Sequence, residues 1–363
     1  MVDPEELAGA AAGLDPLGFD RLVPVLHRLN AARDAPGLSA LLRDLLPPVA
    51  GVTARSEAER LAIMRDLGLL LGSLRACDAE PAEAVPGLTE VLLALGATSD
   101  MVPRDTLHHY VMCNPVGPRE RTYTGDVMER MLVSSVRSSL PRVTSAARMC
   151  GDLLTLDPMT PDFVVAANEV VVRVRAVHDA IEATVATVTP VYFAGTLRQY
   201  FEPIHVAGKR YLGPAAAHMP LYLVDLALWA GDDDTLVYRE FWRESAEYGL
   251  PEWRALAEQW AHGPSVTTRL VEAMGQHRED HSALDRLRAS AEAVGRAQRG
   301  LVAFRGKHLT LAREAYEEGV GRFPTGSGGG TIDLLATVTN LSRENAALVN
   351  QVLRAAGGRR AHA

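Results

Sequence analysis

Apolar residues recur at steps of three and four positions through most of the chain. The pattern is clearest in "AERLAIMRDLGLLLGSLRA", "PDFVVAANEVVVRVRAVHDAIEATVATV" and "LDRLRASAEAVGRAQRGLVAFRGKHLTLAREAYEEG". This spacing places the apolar side chains on one face of an α-helix, whereas a half-buried strand needs strict alternation. Alternation is scarce, and "HVAGKRYLG" is the one short candidate for a hairpin or loop. The sequence therefore predicts an all-α fold.

Proline and glycine interrupt the helical pattern at three places, "LLPPVAG", "AEPAEAVPG" and "NPVGPRERTYTGD". Such clusters mark turns and loops between helices. The last of them, at residues 114–126, is the best candidate for a boundary. We therefore expect a smaller N-terminal helical domain over residues 1–125 and a large helical domain over residues 126–363.

Composition excludes several classes of protein. The chain has 363 residues, 47% hydrophobic and 23% charged, with a formal charge of −8, which is ordinary for a globular protein and does not favour nucleic acid. Its three cysteines form no CxxC pair, so neither a disulfide framework nor a thiolate zinc site is indicated. The apolar runs are too short to span a bilayer, and the N-terminus lacks a secretory signal. We expect a cytoplasmic protein with no nucleic-acid or membrane partner.

One histidine lies in an apolar stripe. The stripe consists of Leu301, Phe304, His308, Leu311 and Ala315. Their spacing of 3, 4, 3 and 4 places them on one helix face. His308 has two interpretations: a core histidine satisfied by hydrogen bonds, or a ligand for a metal or haem, since neutral imidazole is the commonest such donor. Arg305, one turn earlier, favours the second because its guanidinium can pair with a haem propionate.

A glycine-rich loop follows this helix. It reads "TGSGGG" from Thr325, and Thr331 is predicted to cap a new helix. Exposed backbone N–H groups at a helix N-terminus favour an anion. A nucleotide P-loop is excluded because its lysine is missing and the loop follows a helix rather than a strand. A carboxylate or a haem propionate suits the loop, and a flexible surface loop without a ligand is the alternative.

The pairing of "FRGKH" with "TGSGG" and a following helix resembles the haem-dependent indoleamine/tryptophan 2,3-dioxygenase superfamily. Longer segments, among them "EPAEAVPGLTEVLLAL" and "YFEPIHVAGKRYLGPAAAHMPLYLVDLALW", resemble one branch, the monodechloroaminopyrrolnitrin synthases. The likeness extends over most of the chain. It implies a helical haem-dioxygenase-like fold in which the smaller N-terminal domain contributes to the distal pocket and the large domain binds haem b and substrate.

On the haem side, the resemblance implies that His308 is the proximal ligand and the protein's metal donor. Arg305 becomes a propionate partner, and Gly326 and Gly328 belong to the loop that closes over haem and substrate. A related haem tyrosine hydroxylase carries a cysteine four residues after its ligand histidine. This chain has Ala312 there, so no thioether link to the haem is expected.

On the substrate side, the superfamily pattern Pro-x-x-Phe-x-x-x-x-Arg is met by Pro190, Phe193 and Arg198. The resemblance implies that Phe193 is a pocket aromatic and that Arg198 binds the carboxylate of an amino acid, a task for which a guanidinium is well suited. Ser327 matches the loop hydroxyl that contacts the amino-acid end of the substrate. Tyr316 also has a counterpart in this branch.

The distal pocket is matched more loosely. Tyr110 and Val111, in "HHYVMCNP", correspond to distal-pocket residues, which implies contacts with the substrate. "LVSSV" corresponds to the distal helix, so Ser134 or Ser135 is expected to face bound oxygen as a catalytic group. Asp225 is a candidate for the carboxylate that polarises the proximal imidazole.

The implied activity is an oxidative transformation of tryptophan or a substituted tryptophan, halogenated or not. Rearrangement to an aminophenylpyrrole in secondary metabolism is the first expectation. A tryptophan 2,3-dioxygenase that opens the indole ring to N-formylkynurenine is the second, and a non-catalytic haem-binding protein is the third. The implied partners are a tryptophan-like amino acid, dioxygen or peroxide, and an electron donor for the iron.

Overall fold

The computed structural model describes residues 3–318, 323 and 325–357. Helices dominate this range, so the predicted all-α class is confirmed. The first α-helices are α1 (Pro4–Gly13), α2 (Val23–Ala32), α3 (Ala35–Leu45), α4 (Val49–Thr53), α5 (Glu57–Ala76), α6 (Pro81–Ala84) and α7 (Leu88–Ser99). The later ones are α8 (Val127–Thr155), α9 (Pro161–Thr187), α10 (Pro190–Tyr192), α11 (Leu221–Asp225), α12 (Leu236–Glu247), α13 (Pro251–Trp260), α14 (Val266–Gln276), α15 (His281–Glu318) and α16 (Ile332–Gly357).

The "HVAGKRYLG" segment forms a hairpin. Strand β1 (Ile204–Val206) pairs antiparallel with β2 (Lys209–Tyr211), and Ile204 lies opposite Tyr211. Ala207 and Gly208 make the turn with positive φ angles of 50° and 79°. This is the conformation that a two-residue hairpin turn requires.

The N-terminal helices are organised around α5. A capping box of Ser56 and Glu59 starts this helix, and each side chain bonds the other's backbone N–H group. Its residues are buried almost without interruption from Leu61 to Leu74, so the helix is enclosed on all sides. The polar residue Arg65 is accommodated there by a buried ion pair with Asp66.

The long helices pack in sequence, α8 on α9, α9 on α15, and α15 on α16. Asp126 caps α8 and Thr160 caps α9, each by accepting a hydrogen bond from a backbone N–H group of the first turn. These helices form the larger part of the molecule and frame its main cavity.

Within the described ranges, three π-helical segments depart from regular helix: His108–Met112, Phe193–Leu197 and Leu226–Ala230. Such turns are rare and concentrate at functional sites. The first two carry cavity-lining residues, Tyr110 and Phe193, and the third directly follows another, Asp225.

One large cluster of buried apolar side chains extends from Phe19 to Val349 and includes residues on both sides of position 125. Because this cluster includes residues from both predicted domains, it marks no boundary at residue 125. The division into residues 1–125 and 126–363 stays a prediction. In the part of the chain that is described, no helix is both long enough and apolar enough to cross a membrane.

Candidate functional site

The helices enclose a cavity of about 370 Å³. Its walls come from α8, α9, α15 and α16, and the loop at 325–330 borders it. Most lining side chains are apolar, and the aromatic ones include Phe193, Phe201, Phe241 and Phe304. A cavity of this size and character suits an organic cofactor or a small-molecule ligand.

His308 lies in the cavity wall on α15. Its ring stacks on Phe304 with 5.7 Å between centroids, and Leu311 and Ala315 of the same face also line the cavity. Among the described residues, neither ring nitrogen of His308 takes part in a hydrogen bond. Burial and, secondarily, the charge of Arg305 lower the pKa of His308. A neutral imidazole with unused nitrogens at a cavity is a suitable axial donor for a haem iron.

Arg305 belongs to a buried polar cluster next to the cavity. Its guanidinium pairs with Asp225 and donates to the Ser342 hydroxyl. Asp225 also accepts hydrogen bonds from Trp229 Nε1 at 3.0 Å and from the Tyr238 hydroxyl at 2.6 Å. The Asp225 carboxylate thus bonds Arg305 and two aromatic side chains. The predicted hydrogen bond from the imidazole of His308 to Asp225 is not formed.

Arg198 joins the end of the second π segment to the glycine-rich loop. The side chain donates to the carbonyl oxygens of Thr325 at 3.1 Å and Gly326 at 3.3 Å, and it pairs with Glu202. Its guanidinium lies 4.6 Å from the centre of the Phe323 ring. The buried Nε has no hydrogen-bond partner in the described part of the chain. Arg198 therefore fixes the loop, and one of its donors is unused among the described residues.

The loop at 325–330 has an ordered turn. The N–H group of Gly326 donates to the Gly330 carbonyl at 2.8 Å, and that of Gly329 donates to the Gly326 carbonyl at 3.0 Å. Gly329 has a φ angle of 79°, which favours glycine. Thr331 accepts a hydrogen bond from the Leu334 N–H group at 3.1 Å, as expected for the residue that caps α16. Along the loop, Gly326, Ser327 and Gly328 line the cavity.

Gly328→Ala is expected to displace this loop. A Cβ atom at this position would lie 2.5 Å from the Cβ of Ala217, which cannot rotate away. We expect the free energy of unfolding in urea to fall by about 1–3 kcal/mol, the usual cost of overpacking. Gly326→Ala is the matched control, because its Cβ would meet nothing closer than the Gly330 oxygen at 3.4 Å. Equal stability of the two variants would show that the loop does not depend on this close approach.

The residues predicted for the distal pocket differ in whether they line the cavity. Tyr110, Val111 and Ser135 line the cavity, whereas Ser134 is exposed. The Ser135 hydroxyl bonds the Leu132 carbonyl at 2.9 Å and the Thr184 hydroxyl at 3.0 Å. Of the two serines, Ser135 is therefore the one that borders the cavity.

Tyr316 lines the cavity although 47% of it is exposed, which places it near an opening. Sequence reasoning missed Phe201, Phe241 and Tyr222, which also line the cavity. They belong to segments that sequence alone does not bring together, and no motif marks them.

The sequence matches a known protein family. The family model described as monodechloroaminopyrrolnitrin synthase PrnB matches residues 28–356. The matched range includes all the cavity residues named above.

Proposed function

Because the chain belongs to the monodechloroaminopyrrolnitrin synthase family, we propose that it is a haem-dependent enzyme that oxidatively transforms tryptophan or a substituted tryptophan. The observation that carries the haem part of this proposal is the neutral imidazole of His308, without a hydrogen-bond partner among the described residues, in the wall of a largely apolar cavity. The substrate class rests on the family and on the guanidinium of Arg198.

His308 would hold the iron through an imidazole nitrogen, and Phe304 would support the imidazole ring from the preceding turn. Bound haem b supplies the redox chemistry at iron. Arg305 adds a buried positive charge at the cavity wall, which favours a propionate, although Asp225 already neutralises part of this charge. Ala312 offers no thiol for a covalent link.

The polar and apolar parts of the cavity suit an aromatic amino acid. The polar groups, Arg198 and Ser327, lie at the glycine-rich loop and would take the carboxylate and the amino group. Phe193, Tyr110 and Val111 would contact the indole ring. Apolar walls exclude water and strengthen the charge-assisted bonds at the amino-acid end.

The family favours rearrangement of the substrate to an aminophenylpyrrole. Ser135 is the lining hydroxyl that we assign to the neighbourhood of the oxidant, dioxygen or peroxide. The proposed reaction also requires an electron donor for the iron. Chromatographic identification of the product separates this reaction from ring opening to N-formylkynurenine, and the absence of any product would favour a non-catalytic haem protein.

Arg198→Leu is expected to weaken the binding of tryptophan far more than that of haem. The loss of a charge-assisted bond to the carboxylate costs about 1.5–3 kcal/mol, so the Kd for tryptophan should rise roughly 10- to 100-fold. Both affinities are measured by absorbance titration of the haem-loaded protein. Arg210→Leu removes the same charge from an exposed neighbour and should leave both affinities nearly unchanged. Equal losses of haem and tryptophan affinity in the Arg198 variant would contradict the assigned role.

A further inference from the structure

Glu129 of α8 is fully buried and pairs with no cation in the described part of the chain. One carboxylate oxygen accepts hydrogen bonds from the Tyr110 hydroxyl and the Tyr123 N–H group, both at 2.7 Å. The other accepts from the Thr124 N–H group at 2.8 Å and the Thr124 hydroxyl at 2.6 Å. Four donors fill the acceptor positions of a carboxylate, and the two hydroxyl bonds have the short lengths of charge-assisted contacts.

These bonds belong to a longer series of hydrogen-bonded hydroxyl groups. Tyr110, at one end, lines the cavity. Beyond the carboxylate, the Thr124 hydroxyl lies 2.9 Å from the Tyr192 hydroxyl. Tyr192 is itself 9% exposed, and its chain neighbour Val191 is 60% exposed, so the series of hydroxyl groups ends at a buried side chain close to the surface. An unbroken series of O–H groups and one carboxyl therefore leads from the cavity wall towards the surface.

A purely structural role for Glu129 explains only half of this arrangement. The two backbone N–H groups tie the segment before α8 to the carboxylate, and two acceptors are sufficient for that. The remaining two bonds come from hydroxyl groups, one on each oxygen, which lead in opposite directions. Hydroxyl groups can both give and receive a proton, whereas backbone N–H groups cannot.

We propose that Tyr110, Glu129, Thr124 and Tyr192 form a proton path between the cavity and the protein surface. The inference rests on the proposed function only in that the cavity is taken to be where protons are consumed or released. Burial raises the pKa of Glu129, although its hydrogen bonds oppose this shift. Uptake of a proton by this carboxylate is therefore easier than for an exposed one.

Inward transfer begins when the Tyr192 oxygen takes a proton from solvent and its own hydroxyl proton passes to Thr124. The Thr124 proton moves to the nearer oxygen of Glu129. A half-turn about the Cγ–Cδ bond exchanges the two oxygens and leaves both backbone N–H groups with an acceptor. The Tyr110 oxygen then takes this proton as its own leaves into the cavity. Each group gives one proton and receives one, and no electron moves.

The ionisable groups that face Glu129 are mainly tyrosines. Tyr110, Tyr123, Tyr192 and Tyr200 interact with it electrostatically, and burial raises the pKa of each, that of Tyr200 to about 12. Two further carboxylates act on these tyrosines: that of Asp105 on Tyr123, and that of Asp126, which caps α8, on Tyr192. Burial therefore shifts the pKa of Glu129 towards neutral and that of each tyrosine further above it.

Infrared spectroscopy after a pH jump tests the path without haem or substrate. The carbonyl band of protonated Glu129 is assigned by its absence in Glu129→Gln. We expect the intensity of this band to follow the pH jump quickly in the wild type and roughly 100-fold more slowly in Thr124→Val. Valine keeps the shape of the threonine side chain and the backbone N–H group but lacks the hydroxyl. Thr124→Ser restores the hydroxyl and should retain the wild-type rate, and Tyr192→Phe should be slow.

Equal rates in the wild type, Thr124→Val and Tyr192→Phe would overturn the path, as would a Glu129 band that does not respond to pH. Should Thr124→Val fail to fold, the comparison of Tyr192→Phe with the wild type decides. The absorbance of haem-loaded protein tests the proposed function separately, so failure of one does not imply failure of the other.

Discussion

Replacing His308 by alanine is expected to abolish normal haem binding. His308 is the only histidine among the described residues that line the cavity, and its ring nitrogens have no competing partner there. Loss of a residue that merely supports a metal ligand typically costs 10- to 100-fold in affinity, so loss of the ligand itself should cost more than about 100-fold. Titration of the protein with haem, followed through the Soret band, measures this loss.

His308→Gly provides a sharper form of the same experiment. Removal of the side chain leaves space for free imidazole, and added imidazole should restore the Soret band if the histidine acts through its nitrogen. Thermal unfolding of the haem-free protein should change little, because no hydrogen-bond partner is left unsatisfied. Unaltered haem affinity and spectrum in His308→Ala would refute the ligand role, and a lack of rescue would point to packing instead.

Asp225→Ala is expected to lower the free energy of unfolding by about 3–5 kcal/mol, the cost of breaking a buried ion pair from one side. Arg305 is only 8% exposed and would be left with Ser342 as its hydrogen-bond partner. The Trp229 N–H group and the Tyr238 hydroxyl would lose their acceptor as well. Urea unfolding followed by circular dichroism gives the difference directly.

The matched control is Asp179→Ala. Asp179 and its partner Arg175 are both mostly exposed, so this ion pair should contribute no more than about 1 kcal/mol. A double variant, Asp225→Leu with Arg305→Met, removes both buried charges and should recover part of the stability lost in Asp225→Ala. If the Asp225 and Asp179 variants were equally stable, the buried pair would have no special importance for the fold.

Sequence reasoning located helix α15 and its inward face correctly. The spacing of Phe304, His308 and Leu311 predicts one buried stripe, and all three lie together in the structure. The same spacing occurs in a helix that packs against a solid core and in a helix that lines a cavity, because the inward face is apolar in both. The spacing therefore predicts the inward face of α15 but not the cavity beside it. The prediction that Thr331 is the N-cap of α16 is also confirmed, because capping depends on local hydrogen bonds.

Other features depend on how distant segments meet. The choice between Ser134 and Ser135 is set by the rotation of α8, and neighbouring helix positions differ by about 100°. The Arg305–Asp225 pair joins residues that are 80 positions apart. The bond between Glu129 and the Tyr110 hydroxyl depends on a π-helical turn that no local pattern predicts.

The haem proposal is tested most directly by the ultraviolet–visible spectrum of the haem-supplemented wild-type protein, recorded before and after addition of tryptophan. We expect a Soret band that saturates at one haem per chain and shifts when tryptophan is added. A protein that retains no haem under these conditions would contradict the proposal, and His308 would then be an unpaired histidine in an apolar wall.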